Sequence, residues 1–176
     1  MMISLPYGNE MVEMEVPDQC FIGMIDPPKA QPAEYPEQEI RYAIEHPTGG
    51  RGLEDIISPD QKIAVIVDDG SRPTPISTIL PVLMEKLTDC GARPEHIKIV
   101  IALGSHRYMT EEEMRERVGD TIYDTYPVMN SEFRDPEHLV YIGDTEEGAP
   151  LMATSAIMDA QVRIGVGNLV PHPVMG

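Results

Sequence analysis

The 176-residue sequence contains no tryptophan, two phenylalanines and two cysteines. Cys20 and Cys90 stand far apart in no metal- or redox-type spacing. Two cysteines in a chain of this length make no disulfide framework, which points to a cytoplasmic setting. Long apolar runs are also missing, and Met1 to Glu15 carries acids where a secretory leader has a basic region followed by an apolar core. Neither a membrane span nor a leader is expected. Positive charge is scarce: 13 basic against 30 acidic side chains give a net charge of −17. Such a surface repels phosphate backbones and anionic lipid, so nucleic acid and membrane are excluded as expected partners. A small anionic substrate stays admissible where a few arginines reverse the local potential, and Arg72 is the candidate. No internal repeat or low-complexity tract occurs.

What is present is 41% hydrophobic residues in alternating segments, punctuated by 17 prolines and 14 glycines. The length predicts a single α/β domain spanning 1–176. Leu5, Met11, Val12, Met14 and Val16 flank a Pro6-Tyr7-Gly8-Asn9 turn and predict a small N-terminal β-hairpin. The proline-rich stretch from Asp26 to Pro36 belongs on the surface, ahead of a helix over Glu37–Glu45. Ile63 to Val67 is a continuous apolar run, β-branched except at Ala64, that suits a strand buried on both faces. A helix follows over Ile76–Thr88, capped near Cys90-Gly91. The next strand runs His96–Leu103, and Thr110-Glu111-Glu112-Glu113 opens a helix with a capping box, stopped by Gly119. A short strand at Leu139–Ile142, a small-residue helix over Ala149–Asp159 and a strand-like run Val162–Val170 complete the pattern. Strand and helix alternation predicts a mainly parallel sheet with flanking helices, Rossmann-like in class.

Chemistry concentrates where strands end. Asp68-Asp69-Gly70-Ser71-Arg72-Pro73-Thr74-Pro75 begins on the last residue of a buried strand, the edge at which open parallel sheets bind ligands. Two carboxylates, an arginine and two fixed-φ prolines suit a preorganised loop for anions and hydroxyls. The structural alternative is an Asx turn with Thr74 capping the helix and Pro75 at its first position. His106 follows the next strand directly, in Gly104-Ser105-His106-Arg107, and its titration near neutral pH suits proton transfer. His172, in Pro171-His172-Pro173, follows the last strand-like run between rigid flanks. The set Asp68, Asp69, His106 and His172 suits either a metal-dependent hydrolase, with these as ligands, or an enzyme with one histidine base on each face of a substrate carbon. A non-catalytic nucleotide-binding module is the third reading. His46, His96 and His138 are expected at the surface. The acids Glu111 to Glu113 are expected to serve the helix start.

The loop at Asp68–Pro75, the segment Ala102-Leu103-Gly104-Ser105-His106-Arg107 with Met109-Thr110-Glu111-Glu112, and Arg163-Ile164-Gly165-Val166-Gly167-Asn168 leading to Pro171-His172-Pro173 occur in this order. Together they resemble the N-terminal domain of the nickel-dependent lactate racemase family, from about Lys62 to Gly176. The resemblance implies racemisation of a lactate-like 2-hydroxy acid through hydride transfer to a nickel pincer nucleotide, a pyridinium-3,5-bisthiocarboxylate mononucleotide. It implies His106 and His172 as alternating catalytic bases, and Asp69, Gly70, Ser71 and Arg72 as cofactor-binding residues. The family's covalent lysine and nickel-ligating histidine are absent from these residues. The resemblance therefore implies a C-terminal domain as the missing partner, and a chain that does not turn over alone. Val128-Met129-Asn130-Ser131-Glu132-Phe133 departs from the Asn-His-Asp-like pattern of the family.

Overall fold

The computed structural model describes residues 1–8, 10–25 and 31–170. The chain divides into two compact units, Met1–Ala33 and Glu34–Gly176. In the first, β1 (Met2–Tyr7) pairs antiparallel with β2 (Glu10–Glu15). The hairpin is the expected one with a tighter turn, because Pro6 and Tyr7 still pair with Met11 and Glu10. Gly8 takes a φ of 62°, a left-handed conformation open to glycine without a steric penalty.

The second unit runs α1 (Pro36–Glu45), β3 (Ile63–Asp68), α2 (Ile76–Asp89), β4 (Ile97–Ala102), α3 (Glu111–Val118), α4 (Asp120–Thr125), β5 (Val128–Asn130), β6 (Leu139–Asp144), β7 (Pro150–Thr154), α5 (Ser155–Met158) and β8 (Val162–Val166). Its main sheet is parallel, in the order β5-β4-β3-β8. The α/β class with a parallel sheet, flanking helices and an N-terminal hairpin is therefore as expected. Ile63, Val65 and Val67 join Ile97, Ile99 and Ile101 in one buried cluster with Ile76, Leu80, Leu83 and Leu87 of α2 and Met114 and Val118 of α3. Side chains alternate along a strand, so Ala64 and Val100, also fully buried but outside that cluster, face the other way. The continuous apolar run at 63–67 reflects burial on both faces.

Several of these readings are corrected, the structural alternative for the Asp68–Pro75 loop among them. The stretch Ala149–Asp159 is not a helix: Pro150–Thr154 is β7, antiparallel to β6, and only Ser155–Met158 is helical. The local helical preference of this stretch yields to the free backbone groups that β6 offers as partners. Thr74 does not cap α2 and Pro75 is not its first residue: the helix starts at Ile76, Pro75 occupies the N-cap, and no side chain caps it. The C-terminal cap agrees with expectation, with Gly91 at φ 94° and the Ala92 N–H donating to Leu87 O at 2.9 Å. The last strand ends at Val166, short of the Val170 expected. β5 and α4 gave no periodic signal because three and six residues are too few to show one.

The chain adds β4 and then β5 on one side of β3, and β8 returns to its other side. The carboxyl ends of β3 and β8 thus form a topological switch point, where open α/β sheets hold ligands. Among the described residues no helix is long and apolar enough to cross a membrane.

Candidate active site

Asp68 pairs in register with Ala102, so the loops that leave β3 and β4 start side by side at one sheet edge. The first loop turns at once, with the Arg72 N–H donating to Asp69 O at 3.2 Å. This buries Asp69 to 6% exposure. The Ser71 N–H, at 2.9 Å, and its hydroxyl, at 2.5 Å, donate to Asp69 Oδ1. The second loop turns on Gly104, at φ 59°, and the His106 N–H donates to Leu103 O at 3.0 Å. His106 Nδ1 then lies 2.5 Å from Asp69 Oδ2. An ionised carboxylate can only accept, so Nδ1 is the donor in this contact and Nε2 is the ring nitrogen left without Asp69 as a partner. The imidazole is 55% exposed while the Asp69 side chain is 8% exposed, so a buried carboxylate holds an accessible ring. Burial pushes the Asp69 carboxyl up, but the hydrogen bonds from Ser71 and His106 outweigh it and hold it below the usual carboxylate range.

Asp68 is bound on the other side. The Arg117 guanidinium pairs with its carboxylate and donates from Nε to its backbone oxygen at 3.0 Å, while the Thr74 hydroxyl donates to the second carboxylate oxygen. Both partners are largely buried, at 12% and 17% exposure. Sequence reasoning missed Arg117. Its signal was available: it stands three positions after Met114 and beside Val118, both buried on the inner face of α3.

A cavity of about 800 Å³ opens beside this dyad, and Asp69, Gly70, Ser71, Thr74, His106, Met109 and Arg117 are among its lining residues. A second crevice of about 260 Å³ brings Arg72 together with Asp68, Asp69 and His106. Arg72 is exposed, and among the described residues its guanidinium forms no salt bridge. Of the expected site residues, Asp69, Gly70, Ser71, Arg72 and His106 therefore converge. His172 lies outside the described residues. β8 ends beside β3, with Val166 opposite Val67.

Neither Asp68 nor Asp69 is arranged as a metal ligand. Their oxygens are taken up by Arg117, Thr74, Ser71 and His106. Among the described residues no group of three or more His, Cys, Asp or Glu could hold a metal ion. His46 stacks on Tyr42, His96 lies 3.1 Å from Pro59 O, and His138 pairs with Asp135; none of them lines either cavity. Thr110 and Glu113 form the reciprocal capping box at the start of α3. Arg107 grips Glu113 with two bonds of 2.8 and 2.6 Å, which together with the Thr110 N–H hold its carboxyl down at about 2.

Residues 7–176 match the family described as the lactate racemase N-terminal domain. The chain is 26% identical over 175 residues to a protein named lactate racemase from Thermoanaerobacterium thermosaccharolyticum, an alignment covering 97% of this chain and 40% of that one. It is 27% identical over 175 residues to a protein of the same name from Lactiplantibacillus plantarum, with the same coverage. The solved structure of the lactate racemase apoprotein from Thermoanaerobacterium thermosaccharolyticum matches with a TM-score of 0.73 at 26% identity, over 94% of this chain and 38% of that one. The chain thus spans about 40% of the length of the curated relatives it matches. With the family match running from Tyr7 to Gly176, the chain belongs to the lactate racemase N-terminal domain family.

Proposed function

We propose that this chain supplies the proton-transfer and nucleotide-facing wall of a cytoplasmic racemase that acts on a lactate-like 2-hydroxy acid. The observation that carries this reading is His106, half-exposed on the cavity wall with its Nδ1 held at 2.5 Å by buried Asp69. A base must be accessible at one nitrogen and fixed at the other. The names of its relatives give the reaction class.

In this reading the Nε2 lone pair of His106 accepts the hydroxyl proton of one enantiomer, and Asp69 stabilises the imidazolium that forms. His172 serves the other face. The Arg72 guanidinium, which forms no salt bridge among the described residues, and the Ser71 hydroxyl, beside Gly70, are a donor set suited to the phosphate of a mononucleotide or to a substrate carboxylate. These residues would hold a nickel pincer nucleotide; when bound, that group supplies the acceptor for the hydride of the α-carbon. Its covalent and metal anchors are assigned to no residue of this chain, which on this reading works with a further domain and does not turn over alone.

The test replaces His106 and His172 by Ala, singly and together, in the cofactor-loaded protein. Each single change should lower racemisation of lactate by a factor on the order of 10² to 10⁴. The two enantiomers are equal in free energy, so kcat/KM should fall by the same factor in both directions. Racemisation that survives the double replacement overturns the assignment.

A further inference from the structure

Three consecutive residues that no reading of the site has used take hold of the loop carrying His106. We infer that Asn130, Ser131 and Glu132, at the end of β5, are positioning residues that fix His106 by gripping its loop at both ends. The inference rests on His106 acting as a proton-transfer group.

The grip follows from the period of an extended chain, in which neighbouring side chains point to opposite sides. Ser131, only 8% exposed, turns to the near end of the loop, where its hydroxyl accepts the Leu103 N–H at 3.0 Å. Asn130 and Glu132 take the far end. The Asn130 side-chain amide makes two bonds to one residue, accepting the Met109 N–H at 3.2 Å and donating to Met109 O at 2.9 Å. Glu132 accepts the Tyr108 hydroxyl at 2.6 Å. The Glu132 carboxylate is itself fixed by the N–H groups of Phe133, Arg134 and Asp135, at 2.7, 2.6 and 3.1 Å. The Tyr108 hydroxyl and those backbone donors hold its carboxyl down at about 2, so it remains an acceptor through the neutral range.

The bracket is anchored in the sheet, because the Ser131 N–H donates to Ile101 O at 2.8 Å. It spans Leu103 to Met109 with His106 midway. Without it, the loop is held near its centre by the Leu103–His106 turn, the contact with Asp69 and the bonds from Arg107 to Glu113. A base displaced by about 1 Å loses on the order of 10²-fold in rate.

The test compares Asn130→Ala, Asn130→Asp and Ser131→Ala, with thermal midpoints recorded for each. Nitrogen-15 NMR of His106 in the 176-residue chain reads the tautomer without any cofactor. The native chain should show a single Nδ1–H form. Asn130→Ala should shift it toward a mixture of tautomers, and Asn130→Asp, which keeps the acceptor and loses the donor, should give an intermediate shift. In the cofactor-loaded protein, Asn130→Ala should lower kcat by about 100-fold with KM little changed, and Asn130→Asp should recover part of the loss. If folded Asn130→Ala and Ser131→Ala keep the native His106 spectrum and pH profile, the bracket is refuted. If the tautomer shifts while His106→Ala still racemises lactate, the bracket stands and the proposed role of His106 fails.

Discussion

The Asp69 carboxylate divides its two oxygens, one for Ser71 of its own loop and one for His106 of the neighbouring loop. This division explains why an acid only 6% exposed remains ionised: each oxygen has donors that favour the charge over the neutral acid. Asp69→Asn keeps the shape and reverses the chemistry at one point, because an amide can donate to Nδ1 and turn the base lone pair inward. Turnover in the cofactor-loaded protein should fall by a factor on the order of 10² to 10⁴, with KM for lactate less affected. The pH dependence has a fixed sign. The folded pKa of Asp69 lies below its unfolded value, so its stabilisation is present above the ordinary carboxylate range and is lost as pH falls through the folded value. The unfolding free energy of the native chain should decline more steeply on acidification than that of Asp69→Asn, measured by urea denaturation below pH 5. Equal slopes would mean that the folded and unfolded pKa values are the same.

Between strands and helices, the site is a product of two strand-loop-helix units set side by side. β3 and β4 launch the two loops from one edge, while α3 returns Arg117 to Asp68 and so ties the second unit to the first. Asp69–His106 and Asp68–Arg117 are thus two cross-links between the same pair of units, one accessible and one largely buried. The elements themselves rest on apolar burial and on one cap. Ile99→Ala removes a fully buried side chain from the centre of β4 and should cost about 2–5 kcal/mol in urea unfolding. Thr110→Ala deletes the hydroxyl that caps α3 and should cost only about 1 kcal/mol. A reversal of that order would place the stability of this unit in its helix ends and not in the sheet.

At the scale of the whole chain, every buried residue among those described lies at Ile57 or beyond, within the second unit. The first unit is a two-stranded hairpin whose strands have no buried residue. Such a ribbon adds little stability by itself. Deleting residues 1–33 should therefore leave a chain that unfolds cooperatively, with a urea midpoint close to that of the full chain. Collapse of the remaining 143-residue unit, seen as loss of a cooperative transition, would show that the hairpin completes the core. The net charge of −17 constrains the substrate side as well. Among the described residues, Arg72, Arg107 and Arg117 are the arginines and lysines that line the two cavities, and Arg107 and Arg117 are paired with Glu113 and Asp68.

Residue order alone determined the parallel sheet, because the runs Ile63–Val67 and Ile97–Ile101, rich in isoleucine and valine, have no stable place except between neighbours. It also determined that the Asp68–Pro75 loop and His106 leave the same edge, since the rule for parallel strands fixes which end of each strand they follow. Which carboxylate serves which partner was beyond it. Asp68 and Asp69 are adjacent and chemically identical, and only the placement of α3, which brings Arg117 to the end of β3, gives Arg117 to one and leaves His106 to the other. The same holds for Ala149–Asp159, where the availability of β6 as a partner overruled local preference, and for Asn130 to Glu132, whose grip on the His106 loop exists only once β5 lies beside β4. Local sequence carries periodicity and turns; the choice among equivalent polar partners is made by distances that only the tertiary fold sets.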